Sequence, residues 1–182
     1  MSADVQVQER RGEAFELDAQ LTVLGRQLHA GEPAPPFALE WFNPTLQAIE
    51  TVRLADSTGR VRLLNVVNSL DTPVCDLETQ KWEERRAELP ADVQIYTISM
   101  DLPFAQARFC EAADVEHQAL SAHQDEQFGR DYGVLIQEWR LLQRAVFVLD
   151  RDGRIVHADY VADQMAEPNY AQAIDAIRAI SR

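Results

Sequence analysis

Cysteine is scarce in this chain, which has two in 182 residues, Cys75 and Cys110. Neither belongs to a Cys-x-x-Cys or Cys-x-x-His motif. This scarcity excludes a disulfide-rich scaffold and disfavours a general dithiol reductase. We expect a cytoplasmic protein, and lasting structural bridges are unusual in that compartment. Any bridge between the two cysteines is therefore predicted to be transient and catalytic.

Long apolar runs and basic charge are also lacking. No run approaches the ~20 apolar residues that cross a bilayer, and residues 1–12 lack the basic start and apolar block of a secretory signal. The chain has 17 Lys and Arg against 30 Asp and Glu, a net charge of -13. This charge argues against nucleic acid or an anionic membrane as a partner. Any site that needs positive potential must therefore use a few specific arginines.

The pattern of apolar runs predicts one α/β domain over residues 13–182, preceded by a flexible tail at 1–12. Buried strands are expected at 61–67, 93–100 and 145–149, because each is short and nearly continuously apolar. Weaker signals predict a hairpin over 15–23, an edge strand over 49–54, a helix over 125–132, a hairpin strand over 155–161 and an amphipathic helix around 170–177.

Cys75 closes the run Asp71-Thr72-Pro73-Val74-Cys75, directly after the first buried strand. Asp71 or Thr72 is a suitable N-cap and Pro73 fits the first turn, so a helix is predicted from there to about Leu89. Cys75 would then lie at the carboxyl end of a central strand, where open α/β sheets usually hold their sites.

Cys110 ends a second segment that follows the strand over 93–100. Asp101 is the expected N-cap of its helix, with Pro103 in the first turn. Taken alone, each cysteine also fits a small buried hydrophobe, and Cys110 has Phe104 and Phe109 as neighbours in the sequence. Both interpretations, inert core thiol and reactive thiol, remain open on position alone.

A reactive Cys75 needs more than its helix. A thiol becomes a nucleophile when it ionises, and a helix N-terminus favours the anion by only ~0.3–1 kcal/mol, at best ~2. Thr72, three residues earlier, is the expected hydroxyl donor to the sulfur. The candidate cations are Arg144, just before the third buried strand, and Arg140, four residues earlier. Arg144 is the better placed of the two, at the end of a strand beside the helix.

At this point the residues resemble a known family. The run Asp71–Cys75, followed by Cys110 at the end of Met100-Asp101-Leu102-Pro103-Phe104-Ala105-Gln106-Ala107-Arg108-Phe109-Cys110, closely resembles the bacterial thiol peroxidases. These are atypical two-cysteine peroxiredoxins of the AhpC/TSA-like redoxin superfamily. The resemblance covers about residues 15–180 and includes the segments 31–37, 132–136 and 140–150.

The resemblance implies a thioredoxin-like fold of the peroxiredoxin type, with a central mixed sheet flanked by helices and an N-terminal β-hairpin. It implies that Cys75 is the peroxidatic cysteine, Thr72 its hydrogen-bonding partner and Arg144 the arginine that steadies thiolate and peroxide. Cys110 would be the resolving cysteine, forming an intramolecular disulfide with Cys75. The implied substrates are hydrogen peroxide and alkyl hydroperoxides, the reductant is thioredoxin, the assembly is a homodimer, and no cofactor or metal is needed.

One position departs from the resembled pattern. Asn68 stands seven residues before Cys75, where the family normally carries proline. Asn68 can add a polar contact, admit water or reshape the loop. This departure keeps a second hypothesis open, a peroxide-responsive thiol sensor with little turnover. Because Cys75 and Cys110 are predicted on separate helices, a bond between them is also expected to require local rearrangement.

Overall fold

The computed structural model describes residues 7–181, which form eleven β-strands and four α-helices. In chain order these are β1 (Glu9–Glu16), β2 (Ala19–Leu24), β3 (Ala38–Asn43), β4 (Ala48–Arg53), β5 (Val61–Val66), α1 (Pro73–Arg85), β6 (Val93–Ser99), α2 (Pro103–Ala113), β7 (Gln118–Ser121), α3 (Gln127–Asp131), β8 (Leu135–Ile136), β9 (Leu141–Leu142), β10 (Ala145–Leu149), β11 (Ile155–Tyr160) and α4 (Tyr170–Ile180). Across this part of the chain, no helix is both long and apolar enough to traverse a membrane.

Seven strands form a central mixed sheet in the order β11-β10-β5-β6-β7-β3-β4. Strands β5, β6 and β7 are parallel, while β10 pairs with β5 in the antiparallel sense. The three predicted buried strands are confirmed as β5, β6 and β10, and the predicted edge strand is confirmed as β4. The α/β architecture with a central mixed sheet is therefore confirmed. Strands β3 and β7 were not predicted, and β7 has only four residues to carry a pattern.

Strand β5 is buried at every position because both faces of the sheet are covered. On one face, Leu63 packs in an apolar cluster with Trp82 of α1 and Ile174 of α4. On the other face, Leu64 packs in the largest cluster, which includes Phe128 and Tyr132. The strand that leads to Cys75 is thus packed on both of its faces, which holds the start of α1 in a fixed position.

The N-terminal hairpin is confirmed as β1 and β2, which join β8 and β9 in a second, four-stranded sheet. The predicted boundary between tail and domain was wrong, because β1 begins at Glu9 and residues 9–12 belong to it. Arg10 explains this extension: its guanidinium is buried and donates to the carbonyls of Gly25 and Gly133. Residues 1–6 of the predicted tail lie outside the described residues.

The helix that follows β5 begins as predicted, with Thr72 as N-cap and Pro73 at the first position. It ends at Arg85 and continues as a short 3-10 turn over Arg86–Glu88. The cap predicted for α2 was wrong, because Leu102 and not Asp101 is its N-cap.

The carboxylate of Asp101 is occupied elsewhere. It accepts hydrogen bonds from Ser69 Oγ at 2.7 Å, Leu70 N at 2.8 Å and Ser99 Oγ at 2.7 Å. Two of these donors lie in the loop between β5 and α1. Asp101 therefore ties the loop before Cys75 to the end of β6, a role that its position in the sequence did not reveal.

Candidate active site

Cys75 lies in the first turn of α1, directly beyond the carboxyl end of the central strand β5. Its side chain is fully buried in an apolar cluster with Val67, Leu70 and Ala119. Strand β5 ends at Val66, and a short loop connects it to Thr72, the N-cap of α1. A thiol at a helix N-terminus faces free backbone N–H groups and the positive end of the helix dipole.

Arg144 approaches the sulfur from the neighbouring strand. It directly precedes β10, whose Ala145 pairs with Val66 of β5, so its side chain starts beside the loop that leads to α1. Its Nη2 lies 3.5 Å from Cys75 Sγ and also donates to the carbonyl of Gln164 at 2.9 Å. The alternative cation, Arg140, lies away from the sulfur with a mostly exposed side chain paired to Glu126. Of the two candidates, Arg144 is the one at the thiol.

Glu78 is a third buried partner that sequence reasoning missed. It lies three residues after Cys75 on the same helix, and its carboxylate forms a buried ion pair with Arg144. Burial raises the pKa of Glu78 to about 8, although the charge of Arg144 opposes this shift. The spacing of three residues puts Glu78 and Cys75 on one helix face, which was the available signal.

Arg144 remains a cation in this environment. Burial disfavours its charge, but the Glu78 carboxylate and the Cys75 sulfur outweigh burial and raise the pKa of Arg144 above its ordinary value. The guanidinium is therefore held between the Glu78 carboxyl group on one side and the sulfur on the other. This fixes the position of a positive charge next to Sγ without leaving it unpaired in the interior.

Thr72 does not make the hydrogen bond that was predicted. Its Oγ1 donates to the carbonyl of Ser69 at 2.9 Å, and no described contact joins it to the sulfur of Cys75. The carbonyl three residues earlier is within reach because the loop turns tightly there, with Thr72 N also bonded to Ser69 O. The hydroxyl oxygen keeps free lone pairs, and Thr72 lines the cleft described below.

Asn68 is part of the site. Its Nδ2 donates to the carbonyl of Leu142 at 2.6 Å and to Gln164 Oε1 at 3.0 Å. Its Oδ1 faces Cys75 Sγ at 3.9 Å and Arg144 Nη2 at 3.5 Å. Of the possibilities that the sequence left open for Asn68, the structure shows the added polar contact.

A cleft of about 400 Å³ opens beside these residues. Its polar wall includes Asn68, Thr72 and Gln164. The remaining wall is mostly apolar and comprises Pro73, Val74, Trp139, Leu141 and Met165, with Glu16 at the margin. The cleft thus has a polar end next to the residues that surround Cys75 Sγ. The rest of its wall is apolar and can bind the organic group of a ligand.

Cys110 lies in α2 and is partly buried, and both cysteines are free thiols. Together with Phe109 it packs against the apolar cluster that contains Cys75, so the structure brings the two cysteines to one region of the molecule. Burial raises the pKa of the Cys110 thiol to about 11, and the negative charge of Glu83 adds to the shift. Cys110 therefore stays protonated in this conformation at neutral pH.

Comparison with solved structures defines the class of protein. A peroxiredoxin-like protein from Aquifex aeolicus superposes with a TM-score of 0.79 and 30% sequence identity, covering 92% of this chain and 96% of that one. A thiol peroxidase from Chromobacterium violaceum gives a TM-score of 0.81 at 18% identity, covering 93% of this chain and 97% of that one. The predicted thioredoxin-like fold of the peroxiredoxin type is confirmed.

Comparison of sequences defines the family. The model of the AhpC/TSA family matches residues 30–158. A protein from Bacillus subtilis (strain 168) named thiol peroxidase is 43% identical over 161 residues, which is 88% of this chain and 93% of that protein. The chain therefore belongs to the AhpC/TSA family, and the resemblance found in its motifs is confirmed.

Proposed function

We propose that this protein is a thiol-dependent peroxidase that reduces hydrogen peroxide and organic hydroperoxides, with Cys75 as the reacting thiol. The observation that carries the proposal is the placement of Arg144 Nη2 3.5 Å from Cys75 Sγ, at the first turn of a helix. A fixed cation and free N–H groups can stabilise negative charge at the reacting sulfur and on the departing oxygen. The family and the thiol peroxidase relatives support the same reaction class.

The first step is attack of the Cys75 thiolate on the hydroxyl-bearing oxygen of the peroxide. The S–O bond forms as the O–O bond breaks, so the sulfur is oxidised by two electrons to a sulfenic acid and the peroxide is reduced to water or an alcohol. Negative charge moves onto the departing oxygen, which takes up a proton. Arg144 and the N–H groups of α1 are placed to stabilise that charge.

In the second step, Cys110 attacks the sulfenic acid, releasing water and forming the Cys75–Cys110 disulfide. Cys110 must lose its proton to attack, and in the present conformation burial holds it in the thiol form. We therefore propose that α2 loosens around Cys110 and that the first turn of α1 unwinds during this step. Thioredoxin then restores both thiols by disulfide exchange.

Three further proposals concern the cellular compartment, the oligomeric state and the substrates of the protein. The chain has two cysteines and no disulfide-rich framework, which fits a reducing compartment such as the cytoplasm. Leu102 and Phe104 at the start of α2 are exposed apolar side chains, which a homodimer would cover. The apolar wall of the cleft supports alkyl hydroperoxides as substrates beside hydrogen peroxide.

The second candidate function is a peroxide sensor that oxidises once and turns over slowly. The raised pKa of Cys110 is the observation that favours it, because a protonated resolving thiol slows disulfide formation. The two functions share the first step and differ in how fast the thiols are regenerated.

Peroxide consumption coupled to thioredoxin, thioredoxin reductase and NADPH tests the proposal. A peroxidase loses all consumption in Cys75→Ser, whereas Cys110→Ser loses only the turnover that depends on thioredoxin. A sensor would consume about one equivalent of peroxide per chain and then stop, even with the reductant present. Consumption that survives in Cys75→Ser would refute both candidates.

A further inference from the structure

The hydrogen bonds around Gln164 fix which way its side-chain amide points. Its Nε2 donates to the carbonyls of Val161 at 2.8 Å and Ala162 at 3.0 Å, and carbonyls can only accept. Its Oε1 must therefore face the other way, where it accepts from the backbone N of Arg144 at 2.9 Å and from Asn68 Nδ2 at 3.0 Å. Gln164 thus presents a fixed acceptor to Asn68.

That acceptor fixes the Asn68 amide in turn. Both partners of its Nδ2, Gln164 Oε1 and the carbonyl of Leu142, are acceptors, so the NH₂ group cannot be exchanged with the oxygen. Asn68 Oδ1 is consequently aimed at Cys75 Sγ, 3.9 Å away. The side chain is also 95% buried, since its relative exposure is 5%, while it lines the cleft.

The oxygen of Asn68 lacks a strong donor once the thiol ionises. In the thiol form the S–H group can donate to Oδ1, but a thiolate has no proton to donate. The other donor within reach, Arg144 Nη2, lies 3.5 Å away and donates at 2.9 Å to the carbonyl of Gln164. A buried acceptor without a good partner is costly, so this position favours a ligand that brings an O–H group.

We propose that Asn68 Oδ1 accepts the O–H of the incoming hydroperoxide and thereby holds its hydroxyl oxygen against the Cys75 sulfur. Gln164 is a positioning residue that acts through Asn68. The inference rests on the proposed function and adds to it a substrate-contacting residue and its support. The ligand class is a hydroperoxide with a free O–H on the attacked oxygen, which includes hydrogen peroxide and alkyl hydroperoxides alike.

The step needs no oxidant other than the peroxide and no proton donor other than water. The thiolate forms the S–O bond to the oxygen held by Asn68, the O–O bond breaks, and the electron pair leaves with the distal oxygen, which takes a proton from solvent water to give water or an alcohol. The proton accepted by Oδ1 as a hydrogen bond stays on the oxygen that becomes the sulfenic acid. Asn68 therefore orients the peroxide and takes no proton.

Two rate constants measured on the same thiol test the inference. The first is oxidation of Cys75 by hydrogen peroxide, and the second is alkylation of Cys75 by iodoacetamide, with each product quantified at the Cys75 peptide by mass spectrometry. Both reactions need the thiolate and access to it, but iodoacetamide offers no peroxide O–H. Their ratio thus isolates the contact that we assign to Asn68.

In Asn68→Ala the ratio of oxidation to alkylation is expected to fall on the order of tenfold, as for loss of one hydrogen bond. Gln164→Met keeps the side-chain length but removes the acceptor that fixes Asn68, so it should lower the ratio in the same direction by a smaller factor. Gln164→Met also carries the test if Asn68→Ala does not fold.

The outcomes separate the inference from the function on which it rests. An unchanged ratio in both variants, with the two rates falling together, would show that Asn68 only shapes the loop and would overturn the inference. A native protein whose Cys75 is alkylated but not oxidised by hydrogen peroxide would instead overturn the proposed function. A ratio that falls in the variants while native Cys75 is oxidised supports both.

Discussion

Glu78 and Arg144 form an ion pair in which both side chains are almost completely buried, one helical turn beyond Cys75. The pair explains how a protein with a net charge of -13 keeps a cation beside the Cys75 thiol. The carboxylate holds one side of the guanidinium and leaves Nη2 directed at the sulfur. Because of this contact, we expect both the stability of the fold and the rate of Cys75 oxidation to depend on the charges of Glu78 and Arg144.

Replacing Arg144 with methionine should impair both stability and chemistry. Above about pH 8, where Glu78 is ionised, the free energy of unfolding is expected to fall by about 3 kcal/mol, because the Glu78 carboxylate would lose its buried partner. Oxidation of Cys75 by hydrogen peroxide should slow by on the order of a hundredfold, since the cation near the thiolate and the departing oxygen is gone. Denaturant unfolding and single-turnover oxidation measure the two effects.

The double variant Arg144→Met with Glu78→Met separates these effects. Removing both charges leaves no unpaired group, so much of the lost stability should return. Oxidation should remain slow, because restoring the packing does not restore the cation. Recovery of fast oxidation in the double variant would show that Arg144 contributes only to folding.

The raised pKa of Glu78 predicts how stability varies with pH. A carboxyl whose pKa is higher in the folded protein binds its proton more tightly there, so it stabilises the fold most below about pH 4.5. That contribution is lost as the pH rises towards the folded-state pKa of about 8. The free energy of unfolding should therefore decline across this window because of Glu78.

Glu78→Gln isolates this contribution, since glutamine has the same shape and does not titrate. The difference in unfolding free energy between the native protein and Glu78→Gln should favour the native protein less at pH 8 than at pH 5. The exposed Glu88→Gln serves as the matched control for loss of a carboxylate outside the core. A flat difference for Glu78→Gln would refute its buried, raised-pKa state.

Thr72 should matter through its oxygen and not through a bond to the sulfur. Its hydroxyl donates to Ser69 O and leaves its lone pairs free in the cleft, where they can accept the second O–H of hydrogen peroxide while Asn68 accepts the first. Thr72→Val is expected to slow Cys75 oxidation about tenfold, as for one lost hydrogen bond. Thr72→Ser keeps the hydroxyl and should retain most of the rate. Equal rates in the two variants would contradict this role.

Cys110 should be a slow nucleophile while α2 is folded. Its pKa of about 11 predicts little alkylation of Cys110 by iodoacetamide at pH 8 and a rise in rate as the pH approaches that value. In urea the thiol should react as in an unfolded chain, because burial is the main cause of the shift. Peptide mass spectrometry of the alkylated protein measures both states.

Glu83 contributes the second part of that shift through its charge. Glu83→Gln should therefore lower the pKa of Cys110 and speed its alkylation at pH 8, by less than unfolding does. Glu88→Gln again provides a control that should leave the rate unchanged. Rapid alkylation of Cys110 in the folded native protein would contradict the account of its burial.

Local patterns were sufficient to predict the elements that carry the two cysteines. The continuous apolar run of β5 and the Pro73 start of α1 placed Cys75 at a helix N-terminus, and the strand β10 placed Arg144 beside it. Strands β8 and β9 escaped prediction because each has two residues, too few for a periodicity. Strand β8 pairs with β2 of the N-terminal hairpin, and β9 pairs with β8.

The site was less predictable because its contacts are long-range and compete with one another. The Thr72 hydroxyl could donate to the Cys75 sulfur or to a nearby carbonyl, and in the structure it donates to the carbonyl of Ser69. No local pattern distinguishes Glu78 from the other acidic residues of α1, because its partner Arg144 is 66 residues away in the sequence. The orientation of the Asn68 amide depends on Gln164, 96 residues away, and no local pattern encodes that contact.

The most direct test is the fate of the Cys75 sulfur on treatment with one equivalent of hydrogen peroxide in Cys110→Ser, where no second thiol can form the bridge. The account predicts rapid addition of one oxygen at Cys75, trapped by dimedone as a sulfenic acid and absent after Arg144→Met over the same interval. A Cys75 that stays reduced under these conditions, or oxidises equally fast without the guanidinium, would contradict it.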